Sequence, residues 1–401
     1  MSLRDADSPV LIIGGGAAGL STAAALARRE IRATVLDRED CIGASWSRRY
    51  RCLRLHTIRR YSGLACYPIP RDRPRYLSKD EYADYLKEYA EVLGLDVSLG
   101  EHVDAVQPIP GSSGSMDWEV VTNQGIRKAR IVIIATGHYA EASLPAWEGI
   151  DSFTGVVLHS SQYTTGASFK GQNALVIGLG NSGAEIAADL SRHGAATVSV
   201  SVRTTPPIVT REMFKIVPVQ LFGIALTHVG MPRVIDRIGT ALRRFSIGDL
   251  TEYGLGKAAW GPFSARKPAV IDAGFVEQLK QGRIVVRPGI SRFDSKNVIY
   301  ADGSKEAVDV VVAATGFRTG LEKILKVPGV LDDIGQPRFH SGGPTSSPGL
   351  YFIGFDETIR GHLFEINRES KRLAVEVERY LMYSNFSNNQ GTITAPTCLD
   401  E

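Results

Sequence analysis

The sequence predicts an α/β fold made of two glycine-turn units, the second inserted into the first. Three observations carry this reading. An apolar run, a glycine-rich turn and a helical stretch follow one another twice, in "VLIIGGGAAGLSTAAAL" (Val10 to Leu26) and in "ALVIGLGNSGAEIA" (Ala174 to Ala187). Two further apolar runs close alike on Ala-Thr-Gly, in "ARIVIIATGHYA" (Ala129 to Ala140) and "VDVVVAATGFRTG" (Val308 to Gly320), and they bracket the second glycine turn. A chain of 401 residues also exceeds what one hydrophobic core organises. Together these define two Rossmann-like dinucleotide-binding domains. The expected boundaries are 1–150 and 315–401 for a discontinuous first domain and 151–314 for the inserted one.

In the first unit, Val10 to Ile13 reads as a short buried strand, with Gly14, Gly16 and Gly19 in G-x-G-x-x-G spacing behind it. Gly14 permits the tight turn, Gly16 lets a pyrophosphate approach the backbone, and Gly19 lets helix and strand pack closely. The free N–H groups and positive dipole end of the following helix suit phosphate. A second strand, "ATVLD", ends on Asp37, where a carboxylate can bind ribose hydroxyls.

The second unit repeats the design with Gly178, Gly180 and Gly183, and Asn181 and Ser182 open its helix. Its second strand, "ATVSVSVR", runs to Arg203 and carries no acid. An arginine there suits a 2′-phosphate, so NADPH is expected. Two cradles in one chain imply two dinucleotides: a tightly held FAD in the N-terminal cradle and a nicotinamide that feeds it hydride. Thr136, Gly137, Thr315, Gly316 and Gly354, in the turns that end the Ala-Thr-Gly runs and "GLYFIGF" (Gly349 to Phe355), join the expected cofactor-binding residues. "RGHLFEINRESKRLAVEVERYL" (Arg360 to Leu381) reads as a helix that either aims its N-terminus at the flavin or simply packs.

The bulk numbers narrow the class. Hydrophobic residues make up 43% and charged residues 22%, as in an ordinary globular protein. A net charge of +3 with no basic block interleaved with aromatics argues against a nucleic-acid partner. The most apolar later stretch, "IVPVQLFGIAL" (Ile216 to Leu226), falls short of a transmembrane segment. Cys41, Cys52, Cys66 and Cys398 show neither metal-ligand spacing nor a C-x-x-C pair, so no metal is expected and a reducing cytoplasm is the default location.

"FTGVVLHSSQY" lies between the first Ala-Thr-Gly and the second cradle, and its Phe153, Gly155, His159 and Tyr163 fit F-x-G-x-x-x-H-x-x-x-Y. This motif resembles the identifying motif of the class B flavin-containing monooxygenases. "IGASW" (Ile42 to Trp46), "YLSKDEYADYLKEYA", "GNSGAEIAADL", "GDLTEYGL" and "KPAVIDAGFVEQLKQGRIVVRPGI" are similar to the plant YUCCA subgroup. The resemblance covers nearly the whole chain. It implies that NADPH reduces FAD, that O2 is activated as a C4a-(hydro)peroxyflavin, and that a small substrate is oxygenated, in the YUCCA case by oxidative decarboxylation of an indole-bearing 2-oxo acid. It also implies that Trp46 lies near the flavin and that the Phe153 to Tyr163 residues organise the hinge, with His159 a structural histidine. Many family members carry an asparagine beside the flavin where "LRLHTIRRYSGL" has His56 and Thr57, which moves the chain toward the YUCCA side. His56 and Thr57 are the candidate catalytic residues near the flavin, and a plain loop histidine is the other reading of His56. No general base is assigned.

Residues 210–265 mix apolar and basic residues at helical spacing. They read as a substrate lid, a partner surface, a membrane-facing patch, or helices packed on the nicotinamide domain. Three rival functions share the two cradles: a flavin-dependent NADPH oxidase, a disulfide reductase (which the missing C-x-x-C disfavours), and a nucleotide-binding sensor without turnover. The composition is compatible with an oligomer.

Overall fold

A computed structural model describes residues 9–111, 116–213, 216–227, 230–356 and 358–389. The two main sheets take ten strands: β1 (Val10–Ile13), β2 (Ala33–Asp37), β3 (Asp96–Leu99), β4 (Ile131–Ile134), β5 (Val156–His159), β6 (Asn173–Ile177), β7 (Thr197–Ser201), β8 (Val285–Arg287), β9 (Val310–Ala313) and β10 (Leu350–Phe352). The first sheet runs β10-β4-β1-β2-β3 and the second β8-β7-β6-β9-β5. Every pairing within both is parallel. Parallel strands need helices on their faces, and the central ones are buried on both sides. Accordingly "VLII", "IVII" and "VVVA" are buried at every position.

All strands of the second sheet lie in the chain between β4 and β10 of the first. The second unit is therefore inserted into the first, as the two Ala-Thr-Gly runs imply. Residues 1–8 and 390–401 of the expected first domain lie outside the described residues, as do Cys398 and, within 210–265, residues 214, 215, 228 and 229.

Helix α1 (Ala17–Ala27) is buried at every position through Leu26 and lies between β1 and the C-terminal helix. Helix α2 (Ala44–Ser47) is a single turn whose N-cap, Gly43, holds φ +83°. Helix α3 (Lys79–Val92) starts with a capping box between Ser78 and Glu81 and buries Tyr82, Tyr85 and Tyr89 along one side. Helix α4 (Asn181–Arg192) follows the second glycine turn. The 210–265 region holds α5 (Val219–Leu226) and α6 (Pro232–Ile247). The expected helix from Arg360 runs from His362 to Asn389 as α7. Arg203 stands two residues past β7, whose last paired residue is Ser201. Pairing stops there because the neighbouring strand β8 ends at Arg287, whose carbonyl takes the Val202 amide at 2.8 Å, and Pro288 follows with no amide to offer.

Among the described residues no helix is long and apolar enough to cross a membrane.

Candidate active site and cofactor cradles

The two glycine turns have nearly the same geometry. A Cβ added at Gly19 would stand 1.9 Å from the Gly14 carbonyl oxygen, and one at Gly183 would stand 2.1 Å from that of Gly178. Both glycines are therefore required by helix–strand contact. Gly14 (φ +110°) and Gly178 (φ +98°) hold a left-handed turn, and each lies 2.7 Å, measured from an added Cβ, from the carbonyl of the facing alanine, Ala135 or Ala314. At Gly16 and Gly180 an added Cβ would meet nothing within 4 Å. These two glycines are the N-caps of α1 and α4, and neither helix has a side-chain cap. The first amides of each helix thus face open space, which is the arrangement a pyrophosphate requires.

Each cradle is completed by the turns expected to join it. Around the first, Thr136 and Gly137 (φ +73°) follow β4, and the Thr136 hydroxyl is buried without a hydrogen-bond partner. An added Cβ at Gly354 would stand 3.0 Å from Cβ of Ala18, so the turn after β10 rests on the start of α1. Asp37 accepts from the Gly15 amide at 2.6 Å and from the Glu39 amide at 2.9 Å. Burial raises its pKa above the usual carboxylate value, and the two amide bonds oppose that. Trp46 is half-buried, its ring 4.6 Å from that of Tyr82 in a T-shaped contact. Around the second cradle, Asn181 accepts from the Ile271 amide at 2.8 Å. Ser182 follows it in the first turn of α4. Thr315 donates to the Ser143 carbonyl, and Gly316 holds φ +86°. Arg203 is exposed and has no carboxylate partner among the described residues. Open amides, an orphaned hydroxyl and a free cation past β7 fit FAD in the first cradle and NADPH in the second.

The Phe153 to Tyr163 motif is spent on packing. The Phe153 ring stacks edge-on against Phe293 at 5.3 Å, and an added Cβ at Gly155 would collide with the Phe153 ring and with the Asp309 carbonyl. The Nδ1 of His159 accepts from the Ser161 amide at 3.1 Å, which leaves the proton on Nε2, bonded to the Gly316 carbonyl at 2.9 Å. Burial lowers its pKa and keeps the ring neutral. Tyr163 donates to Asp189 at 2.7 Å. His159 is thus satisfied, and it ties β5 to the second Ala-Thr-Gly turn.

His56 points at α4. Its Nε2 meets Glu185 at 2.5 Å, and the Tyr50 hydroxyl donates to the same carboxylate at 2.9 Å. Glu185 is 5% exposed. The segment after Trp46 is therefore bonded to the helix that opens the second cradle. Thr57 shares a hydrogen bond with Ser62 at 2.6 Å, and its methyl group faces Gly361. Gln220 of α5 closes this region: it accepts from the Ile58 amide at 3.2 Å and donates to the Arg360 carbonyl at 3.0 Å. Sequence reasoning missed Glu185, Asp189 and Gln220. The signal was present for the first two, which stand four residues apart on a helix buried from Gly183 to Leu190. Carboxylates on such a face must be paired.

Two more features were missed. The Arg49 guanidinium lies 5.1 Å from the Tyr139 ring and 5.4 Å from the Phe317 ring, which follow the first and second Ala-Thr-Gly turns. Arg49 is half-buried, with no carboxylate partner among the described residues, and burial lowers its pKa. Nearby, the His138 ring lies 5.5 Å from that of Phe355, after β10, and 6.0 Å from that of His362, at the start of α7. Desolvation, with His138 adding to it, pushes His362 down to about 4, so that its ring is neutral at neutral pH.

Two glycine-turn cradles on two parallel sheets, the second unit inserted into the first, define a class of two-dinucleotide flavoenzymes. The flavin-binding monooxygenase-like family matches residues 7–323, and the chain belongs to this family. It is 33% identical over 358 residues to the indole-3-pyruvate monooxygenase YUCCA1 of Oryza sativa subsp. japonica, covering 86% of each chain. Among solved structures, a flavin-containing monooxygenase from Stenotrophomonas maltophilia is 25% identical with a TM-score of 0.73, over 94% of this chain and 99% of that one. An oxidised steroid monooxygenase bound to NADP shares the fold at a TM-score of 0.74 and 18% identity, over 94% of this chain and 86% of that one. The protein is an FAD- and NADPH-dependent monooxygenase that uses O2 to oxygenate a small substrate.

Proposed function

We propose that this monooxygenase oxidatively decarboxylates a small aromatic 2-oxo acid. One oxygen atom enters the shortened acid, the other leaves as water, CO2 is lost, and NADPH supplies two electrons. The observation that carries this reading is Arg49, a half-buried cation with no carboxylate partner among the described residues, beside the rings that follow the two Ala-Thr-Gly turns. A buried charge calls for a partner, and a substrate carboxylate is one. The similarity to a YUCCA-type indole-3-pyruvate monooxygenase supports the same substrate class.

When bound, the flavin accepts hydride from NADPH and activates oxygen. Gly14, Gly16, Gly19, Asp37, Trp46, Thr136, Gly137 and Gly354 would hold FAD. Gly178, Gly180, Asn181, Ser182, Gly183, Arg203, Thr315 and Gly316 would hold NADPH. The FAD domain would comprise 1–150 and 315–401, and the NADPH domain 151–314, with 210–265 covering the substrate region through Gln220. His56 would act by positioning, since it holds the segment after Trp46 against α4. Thr57 would line the same side. Free Cys41, Cys52 and Cys66 support a cytoplasmic location.

The test is NADPH consumption with a panel of aromatic 2-oxo acids, amines and sulfides. Acceleration by the 2-oxo acids with CO2 release supports the reading, whereas acceleration by amines or sulfides alone overturns it. Arg49→Gln is expected to raise the 2-oxo acid KM roughly 10- to 100-fold through loss of a charge-assisted contact and to leave the NADPH KM unchanged. A rise in the NADPH KM instead would assign Arg49 to the cofactor.

A further inference from the structure

Helix α6 carries none of the residues assigned to either cradle, and the link from the 210–265 region to the candidate site is made by Gln220 on α5. It is seated on the protein by Ile235 and Ile247, both buried, and by Asp236, whose carboxylate accepts from the amides of Phe263 and Ser264 at 2.9 and 2.8 Å. The other side carries Met231, just before the helix, and then Val234, Ile238, Leu242 and Phe245. All five are exposed, Ile238 by 56% and Phe245 by 82%. At helical spacing these positions fall in one stripe about 80° wide. Arg233, Arg237 and Arg244 form a single row along one edge of it. Arg244 pairs with Asp249, while Arg233 and Arg237 have no carboxylate partner among the described residues.

An apolar stripe of this size exposed to water marks a contact surface. The arginine row says which kind. A two-fold contact between antiparallel copies of α6 would set the two arginine rows side by side on the same edge, and like charges would oppose it. A helix with an apolar face and unpaired arginines on the flank is built to lie in the plane of an anionic bilayer surface. The apolar side chains enter the acyl boundary there, and the arginines meet lipid phosphates and carboxylates.

We propose that α6 docks this enzyme reversibly on membranes that carry anionic lipids, with Val234, Ile238, Leu242 and Phe245 inserted and Arg233 and Arg237 on the headgroups. The test is flotation of the full-length holoenzyme with phosphatidylcholine vesicles, with and without phosphatidylserine. The protein is expected to float with the phosphatidylserine vesicles, with a bound fraction roughly tenfold lower on neutral ones, and to be released by high salt. The double variant Ile238→Asp/Phe245→Asp is expected to lose flotation while keeping its flavin content and melting temperature, since both side chains are exposed. Arg233→Gln/Arg237→Gln, which leaves the stripe intact, is expected to weaken binding roughly ten- to thirtyfold and decides the matter if the first variant fails to fold. The proposal is overturned if the wild type does not float with anionic vesicles, or if neither pair of substitutions changes its flotation. A wild-type dimer that Ile238→Asp/Phe245→Asp splits would also overturn it, because a second copy would then cover the stripe.

Discussion

Arg203 and Glu369 show how single side chains set two different properties. Arg203 is exposed past the end of β7, free to meet an anion, with Gly289 beside its Cβ. Arg203→Ala is expected to raise the NADPH KM roughly 10- to 100-fold and to leave the NADH KM unchanged, as the loss of one charge-assisted hydrogen bond requires. Steady-state kinetics with both nucleotides checks this. Glu369 of α7 is buried, and its burial, with Asp356 and Glu365 close by, raises its carboxyl to about 7 against the partial relief of the Gly354 amide and Arg372. The folded state therefore keeps a proton that the unfolded chain has already lost between the two pKa values. Its contribution to stability is present below the unfolded value and is lost as pH rises through about 7. His362, held at about 4, acts in the opposite sense, and its contribution is lost as pH falls toward that value. Glu369→Gln cannot ionise, so its melting temperature is expected to fall less than that of the wild type between about pH 5 and pH 8. Parallel melting curves across that range would remove the buried carboxyl as the cause.

At the scale of elements, the paired cradles are the main determinant. Gly19→Ala forces a Cβ onto the Gly14 carbonyl, and Gly183→Ala forces one onto that of Gly178. Each is expected to cost on the order of 1–3 kcal/mol of strain and to splay helix from strand. Purified Gly183→Ala should retain FAD but lose saturable reduction by NADPH, whereas Gly19→Ala should emerge depleted of FAD. Flavin absorbance per protein and anaerobic titration with NADPH separate the two. Glu185 works between elements. Glu185→Ala leaves His56 and the buried Tyr50 hydroxyl without an acceptor, at a cost of about 1–3 kcal/mol measurable by denaturant unfolding. Both glycine turns were legible in the sequence because their spacing is local: three glycines within six residues, an apolar run before and a helix after. The strands "VLII" and "ATVLD" were legible for the same reason. The partners of His56 were not. They arise from a contact across 129 residues of chain, and nothing in "LRLHTIRRY" says that α4 will lie beside it. Arg49 was hidden in the same way, because Tyr139 and Phe317 reach it only through the insertion of one unit into the other.

At the scale of the whole molecule, the insertion gives the two cradles a shared junction. Strand β4 leads into the first Ala-Thr-Gly turn and β9 into the second, and His159 of the intervening motif is bonded to the latter through the Gly316 carbonyl. Arg49 and the His138, Phe355 and His362 rings lie along this junction, on segments from both ends of the chain. A hydride donor and its flavin acceptor must meet for reduction, and the oxygenation that follows needs a site that excludes competing water. The most direct measurement is turnover of an aromatic 2-oxo acid by the holoenzyme with NADPH under 18O2, with mass analysis of the product. The expected result is one labelled oxygen atom in the shortened acid, with one NADPH consumed for each molecule formed. Consumption of NADPH with peroxide as the only oxygen product, and no label in any organic acid, would contradict the account.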